Sequence, residues 1–466
     1  MRALAAVLAA ATSAAAAPTG VRLSFASGDP STSMAVAWQT ASSTATSVVE
    51  WGVAQDALHE TASGTSFQAP APLGWIHEAQ LDGLPPATTI YYRAGDATDG
   101  FADVMSFHTA PEPDAECTSF HFVVIADDRS QDDYGPSENW ASIAIEAAAE
   151  QPAFFIYGGD QVRDGSEARQ WQNWLDATSP ILGFFAHMPS IGNHDDGPGE
   201  GDGANYNQVF QLPRAEVAQG GSGSEDYYFF TYGNAIFVAL SSQTYKNDGF
   251  AAQAAWLGAV LSANPRLWKF VYLHHPIYTG DLLGINHPPD EQGQNAALVP
   301  IFDAHHVDIV FQSHNHWYER FAPSACGDGS DTPCPTGDAS TGTVYITTGG
   351  AGALTYDFPT VCQLSKVEGR EFCDGRHHYL LLDIEGGTLT MEAWATTAQN
   401  FDKVAENHTL IDTLTLEKPE YDASECKGAG GESESEAESE SESEAEAVAD
   451  ASSTGSGCGC ALGARP

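Results

Sequence analysis

Residues 153–160 read Ala-Phe-Phe-Ile-Tyr-Gly-Gly-Asp, an apolar run that stops at two glycines and an acid. A run this short, aromatic and bounded by glycine reads as a buried strand rather than a turn of helix. Working outward, Phe120–Ala126 is a second such run, and it leads to Asp127. An alanine-rich stretch from about Ser137 to Glu150 lies between them and reads as a helix. On the other side, a helix around Glu167–Leu175 precedes Met188–Gly192, which leads into Asn193-His194-Asp195. Strand, helix, strand at spacings of roughly thirty residues is what successive βαβ units produce. In each case the polar residues arrive where the apolar strand stops.

The pattern continues toward the C-terminus. A hairpin is expected over Tyr227–Leu240, turning at Gly233-Asn234, then a helix near Gln253–Leu261 and the strand Trp268–Leu273, which ends in His274. Ile309–Phe311 leads to His314-Asn315-His316, and Thr343–Thr348, Tyr379–Ile384 and Thr388–Trp394 close the domain. Toward the N-terminus the rhythm changes. From Val21 to about Thr109, short alternating runs (Met34–Trp38, Ser47–Trp51, Ile90–Ala94, Val104–His108) are separated by Gly, Pro, Asp and Ser, as in a fibronectin type III-like sandwich. It carries no cluster of His, Cys or paired carboxylates and reads as a structural or docking module. Residues 111–114, Pro-Glu-Pro-Asp, are the linker.

At 466 residues the chain is long for one core, and two folded domains with tails are expected. Arg2 followed by an apolar, alanine-rich run to Ala17 reads as a secretory signal peptide, and no later stretch is apolar enough to span a membrane. The expected divisions are therefore a signal peptide over 1–17, a β-sandwich over 18–112, a larger domain over 117–426 and an acidic tail over 427–466. Export makes the eight cysteines disulfide material, and none has the C-x-x-C spacing of a structural zinc site. Pairs Cys326–Cys334 and Cys362–Cys373 follow from closeness in sequence, and Cys117–Cys426 from flanking the larger domain. The net charge is −45, and the Ser-Glu tail accounts for only about nine of it, so nucleic-acid binding by a basic face is excluded.

Six ligand-type residues fall at the carboxyl ends of expected strands: Asp127, Asp160, Asn193, His274, His314 and His316. Ligands of α/β sheets collect there. Carboxylate, amide and imidazole together suit a pair of first-row metals rather than thiolate-held zinc. Two such cations, sharing one carboxylate, clamp an anionic oxygen and generate hydroxide near neutral pH.

The ordered set Asp127, Gly159-Asp160, Gly192-Asn193-His194-Asp195, His274-His275-Pro276 and His314-Asn315-His316 resembles the metallophosphoesterase motifs. His316-Trp-Tyr-Glu-Arg320 narrows the resemblance to the purple acid phosphatases, and Ser27–Trp38 is similar to their N-terminal sandwich. The resemblance spans residues 20–415. It implies an α/β (α+β) catalytic domain built as a four-layer αββα sandwich behind an all-β fibronectin type III-like domain. It also implies a secreted or cell-surface phosphatase hydrolysing small phosphate monoesters by in-line attack of a metal-bridging hydroxide. Asp127 and His316 would hold the first metal, Asp160 would bridge, and Asn193, His274 and His314 would hold the second, the ions being divalent iron, manganese or zinc. His194 would protonate the leaving oxygen, oriented by Asp195. Arg129, His275 and His287 are candidate phosphate contacts, with solvent-exposed histidine as the plainer reading of the last two.

Two positions depart from the family. Its tyrosine ligand three residues after the bridging acid is Arg163 here, and the histidine that replaces it in relatives is Arg129. Asp128, Asp164 or water would then complete the first metal. The departures predict a colourless enzyme unless another tyrosine, Tyr134 or Tyr157, takes the vacant place. They also keep two alternatives open, a phosphodiesterase using the same site and a surface binding module with a degenerate one. The tail resembles the start of a bacterial surface-sorting tag, which implies cell-surface attachment, although the hydrophobic helix and basic cluster that follow such a tag are missing.

Overall fold

The computed structural model describes residues 17–113, 118–129, 138–197, 204–216, 220–243, 250–280, 286–356, 361–365, 367–396, 408–419 and 421. The signal-peptide run, Cys117, Tyr134, Cys426 and the acidic tail lie outside them.

Among the described residues, the largest sheet has ten strands. In spatial order these are Thr409–Glu417, Thr388–Ala395, His378–Glu385, Ser119–Ile125, Phe154–Tyr157, Ala186–Pro189, Thr19–Ser24, Ser33–Thr40, Trp75–Asp82 and Thr65–Gln68. The expected βαβ units are its centre: Ser119–Ile125, Phe154–Tyr157 and Ala186–Pro189 pair in parallel. The N-terminal sandwich and the larger part of the chain share this sheet, because Leu23 pairs with Ala186 in parallel register. The Tyr92 hydroxyl donates to the Gly183 carbonyl at 2.7 Å and further ties the two parts. A second sheet orders Tyr228–Tyr232, Ala235–Ala239, Trp268–Tyr272, Ile309–Gln312, Val344–Thr348, Tyr318–Phe321 and Arg370–Asp374. The sandwich is completed by a five-stranded sheet built on Val48–Gly52 and Thr89–Asp96.

The first two sheets pack face to face through phenylalanines. Phe122 and Phe154 from one meet Phe237 from the other edge-on, at 5.0 and 5.1 Å between ring centroids. Burying each such ring contributes roughly 1.5–3 kcal/mol. Alternation along a strand sends the next residues outward, so Tyr157 meets Trp140 and Trp174 of the helices Glu138–Ala148 and Ala168–Leu182 at 5.8 and 5.9 Å. On the far side, Trp256 and Leu257 of Ala251–Ala263, with Leu298 and Phe302 of Asn295–His305, cover Ile236, Val238, Val271 and Val310. Helix, sheet, sheet, helix is thus the layering of the larger part.

Differences from the sequence reading have local causes. The helix expected to end near Leu175 runs to Leu182 through Pro180. Pro180 has no N–H to give Asp176, and the Ser179 hydroxyl donates to that carbonyl instead, at 2.8 Å. Asn295–His305, which contains Pro300, had no expected counterpart. Cys326–Cys334 and Cys362–Cys373 are disulfides.

Candidate metal centre

All six ligand-type residues stand in loops leaving the carboxyl ends of central strands, three from each large sheet. Asp127, Asp160 and Asn193 follow Ser119–Ile125, Phe154–Tyr157 and Ala186–Pro189, while His274, His314 and His316 follow Trp268–Tyr272 and Ile309–Gln312. The facing sheets aim these ends at one another. Asp127, Asp160 and His314 have φ of 58°, 61° and 70°. That left-handed backbone costs side-chain-bearing residues on the order of 1–3 kcal/mol each and is retained where a function needs the direction it gives. Gly192 lets the loops close, since a Cβ there would sit 2.2 Å from Asp160 Oδ1.

His274 is the centre of one group. Its Nδ1–H donates to the Gly158 carbonyl at 2.8 Å, which leaves Nε2 as the nitrogen facing the cluster. Around that atom lie His314 Nδ1 at 3.0 Å, Asn193 Oδ1 at 3.1 Å and Asp160 Oδ1 at 3.3 Å. Acceptor atoms held this close need a positive charge among them. The edge of an octahedron with bonds of about 2.1 Å is about 3.0 Å, so the set fits a first-row cation. The pKa of His274 says the same of the metal-free chain. Burial opposes its protonation, yet the charge and hydrogen bond of Asp160 and the charge of Asp127 lift it to about 9. His314 goes the other way, well below the usual imidazole range, through burial and the neighbouring His274, His275 and His287.

The second group is Asp127 and His316. The Nδ1–H of His316 donates to the Leu354 carbonyl at 2.8 Å, so Nε2 faces inward, 3.4 Å from Asp127 Oδ1, which has no hydrogen-bond donor among the described residues. Asp160 joins the groups. Its Oδ1 turns toward His274, and its Oδ2 receives the Nε–H of Arg129 at 3.2 Å. Arg129 is itself largely buried, with Nη2 at 3.5 Å from His316 Nε2.

Several residues stand differently from expectation. Asp195 does not touch the His194 ring. It is buried and accepts the backbone N–H groups of Asp160, Gln161, Val162 and Gly192 at 2.7–3.1 Å, pinning the Asp160 loop to the Asn193 loop. The reason is length: a carboxylate one residue on points back under its own turn. His194 is oriented by the carbonyl of Arg163, at 2.7 Å from Nδ1. Asp128 is turned into the interior, where it accepts the Trp174 indole N–H at 2.7 Å, and Asp164 accepts the Ser166 N–H at 3.0 Å, so neither carboxylate is turned to Asp127 and His316. Tyr157 is also turned away, its hydroxyl on His187 Nδ1 at 2.7 Å. His275 is buried rather than exposed, with Nδ1 at 2.8 Å from the Ser242 hydroxyl. His287 is half-buried, and its ring lies 3.5 Å from that of His314.

Glu291 is the residue sequence reasoning missed. It accepts from His314 Nε2 at 3.2 Å, the carboxylate–histidine partnership that fixes a ligand's tautomer and raises its basicity. Twenty-three residues separate the two, and nothing in the surrounding text marks the acid.

Residues 18–109 match the family described as "Purple acid Phosphatase, N-terminal domain", and residues 121–318 the one described as "Calcineurin-like phosphoesterase". The chain thus carries a purple acid phosphatase N-terminal domain followed by a calcineurin-like phosphoesterase domain. Among curated proteins, purple acid phosphatase 23 of Arabidopsis thaliana is 27% identical over 314 residues, 60% of this chain and 63% of that protein. The match thus spans less than two thirds of that relative. Two solved structures share the fold. Purple acid phosphatase PPD1 from yellow lupin (Lupinus luteus) seeds has a TM-score of 0.65 at 18% identity, over 86% of this chain and 74% of that one. PhoD has a TM-score of 0.63 at 14% identity, over 88% and 92%. The six gathered ligand-type residues of this metallophosphoesterase all lie inside the calcineurin-like match.

Proposed function

We propose that this metallophosphoesterase is an exported hydrolase of phosphate monoesters in which His194 delivers the proton to the leaving oxygen. The observation that carries the reading is the convergence of His274 Nε2, His314 Nδ1, Asn193 Oδ1 and Asp160 Oδ1 within 3.0–3.3 Å beside Asp127 and His316. A divalent cation such as manganese, iron(II) or zinc bound there would supply a Lewis acid to the phosphate oxygens and acidity to the attacking water.

The chain's own residues do the rest. With Nδ1–H held by the Arg163 carbonyl, His194 presents Nε2, 4.0 Å from Asp160 Oδ2 and at the edge of the cluster. Burial, against the opposing charge of Asp160, holds its pKa below the usual imidazole value, so the proton it needs is acquired as pH falls. A cleft of about 410 Å³ beside it, lined by Asn193, Arg163 and Arg169 together with Asp164, Glu167 and Asp196, receives the leaving group. Export rests on the alanine-rich first residues and on two disulfides, which persist in oxidising compartments. Attachment at the cell surface through the acidic tail is part of the same proposal. Among the described residues no helix is long and apolar enough to cross a membrane.

The test is hydrolysis of chromogenic mono- and diesters alongside metal analysis, for the natural chain and for Asp160→Asn. Metal-dependent monoester turnover that disappears in Asp160→Asn, with the fold intact by circular dichroism, is expected. Turnover unaffected by chelation or by Asp160→Asn would overturn the reading, and a preference for the diester would reassign the substrate class.

A further inference from the structure

Both positions from which the family resemblance would draw a further ligand for the first metal are arginines, and the structure separates their fates. Arg163 is exposed and serves through its carbonyl. Arg129 turns inward. Its own backbone N–H donates to the Asp160 carbonyl at 3.0 Å, which fixes the root of the side chain beside the shared carboxylate. Its guanidinium then lies between Asp160 Oδ2, 3.2 Å from Nε, and His316 Nε2, 3.5 Å from Nη2. These are the atoms that would face the first cation. A first-row ion bonded to both at about 2.1 Å would sit against the guanidinium. The repulsion between a divalent and a univalent cation in contact, in a site this buried, is large.

We propose, resting on the metallophosphoesterase reading, that the guanidinium of Arg129 takes the place of the first metal. The chain then holds a single ion, on Asp160, Asn193, His274 and His314. The four ligands of that ion are undisturbed by the arginine, because Asp160 divides its oxygens, Oδ1 toward His274 and Oδ2 toward Arg129. Arginine suits the position chemically. It stays charged at every working pH, and its planar fork of donors matches the oxygens of a phosphate, so it can balance the Asp127 and Asp160 carboxylates and still offer an N–H to the ester. The second positive charge of the site is in this way built into the sequence and needs no loading.

Metal counting tests this without reference to turnover. The full chain, stripped with chelator and dialysed against manganese(II), is expected to retain close to one equivalent per chain, with the electron paramagnetic resonance of an isolated ion. Arg129→Ala should take up a second equivalent and show the broadened spectrum of an exchange-coupled pair, while His274→Ala should lose the ion of the natural chain. Two tightly held, coupled ions in the natural chain would overturn the proposal and leave the wider functional reading standing. No retained ion would overturn both. The count on the natural chain decides even if a variant fails to fold, and in a folded Arg129→Ala an uptake that stays at one equivalent also counts against the guanidinium as the excluding group.

Discussion

Arg163 stands where the family resemblance expects a tyrosine ligand, and in the structure it is an exposed residue. The purple colour of that family comes from tyrosinate bound to ferric iron, and Tyr157, one candidate for the vacant place, spends its hydroxyl on His187. Protein purified in air is therefore expected to show no visible charge-transfer band. A strong band would point to Tyr356, whose ring stacks on His316 at 5.3 Å. His194 allows a second expectation. Since its ring contacts the cluster only at 4.0 Å, His194→Ala should keep the metal content and lose rate by roughly 10²–10⁴-fold, the usual worth of a general acid. Loss of metal in that variant would make His194 a ligand instead. At this scale the sequence was most readable where a turn ties two functions together, as in Gly-Asn-His-Asp. It misled where a side chain's direction depends on the turn's geometry, as with Asp195, and it was silent about Glu291, which reaches His314 only through folding.

Elements were legible in proportion to their apolar content. The runs ending at Asp127, Asp160 and His274 are nearly all apolar and were placed to within a residue or two, whereas Tyr318–Phe321 and Arg370–Asp374, full of charge, passed unread. Their pairing is settled by partners far away in sequence. Glu319, fully buried, receives Arg370 Nη1 at 2.9 Å, the Thr279 hydroxyl at 2.6 Å and the Gly280 N–H at 3.1 Å. The Glu-Arg of the His-Trp-Tyr-Glu-Arg run is thus scaffold: Glu319 ties the strand behind His316 to the loop after His274-His275, and Arg320 pairs with Asp412 at 2.6 Å. Removing one partner leaves a buried charge uncompensated, so Arg370→Met is expected to cost about 3–5 kcal/mol. Urea midpoints would measure it. The double variant Glu319→Gln, Arg370→Met should recover much of the loss, and a single variant as stable as the natural chain would show the pair to be dispensable.

At the scale of the whole molecule, the expectation of a sandwich followed by a separate α/β domain captured the layers but not their union, because the edge-to-edge pairing of Leu23 with Ala186 has no signature in either strand. The shared ten-stranded sheet also buries histidines that are not among the gathered ligands, His187 and His378 among them, and they bear on how the fold responds to acid. His187 and His378 are fully enclosed, and burial lowers their pKa values to about 3 and about 4. In the unfolded chain each would titrate near 6.5. Between that value and the folded one, the unfolded state binds a proton that the folded state refuses, so the contribution of each histidine is complete above about 6.5 and is lost as pH falls toward the folded value. The slope is about 1.4 kcal/mol per pH unit for each group. Other groups oppose it: Asp195, which burial and the charge of Asp160 raise to about 7, gains a proton on folding in the same range. The absolute curve therefore mixes terms, and a difference isolates one. His187→Asn keeps a partner for the Tyr157 hydroxyl and removes the titration. Its cavity lowers stability by a constant amount, so the natural chain and the variant should converge on acidification from about pH 6.5 to about pH 4, by on the order of 1.4 kcal/mol for each unit. Urea unfolding at three pH values in that window would measure the convergence, and parallel curves would show that His187 accepts its proton within the folded sheet.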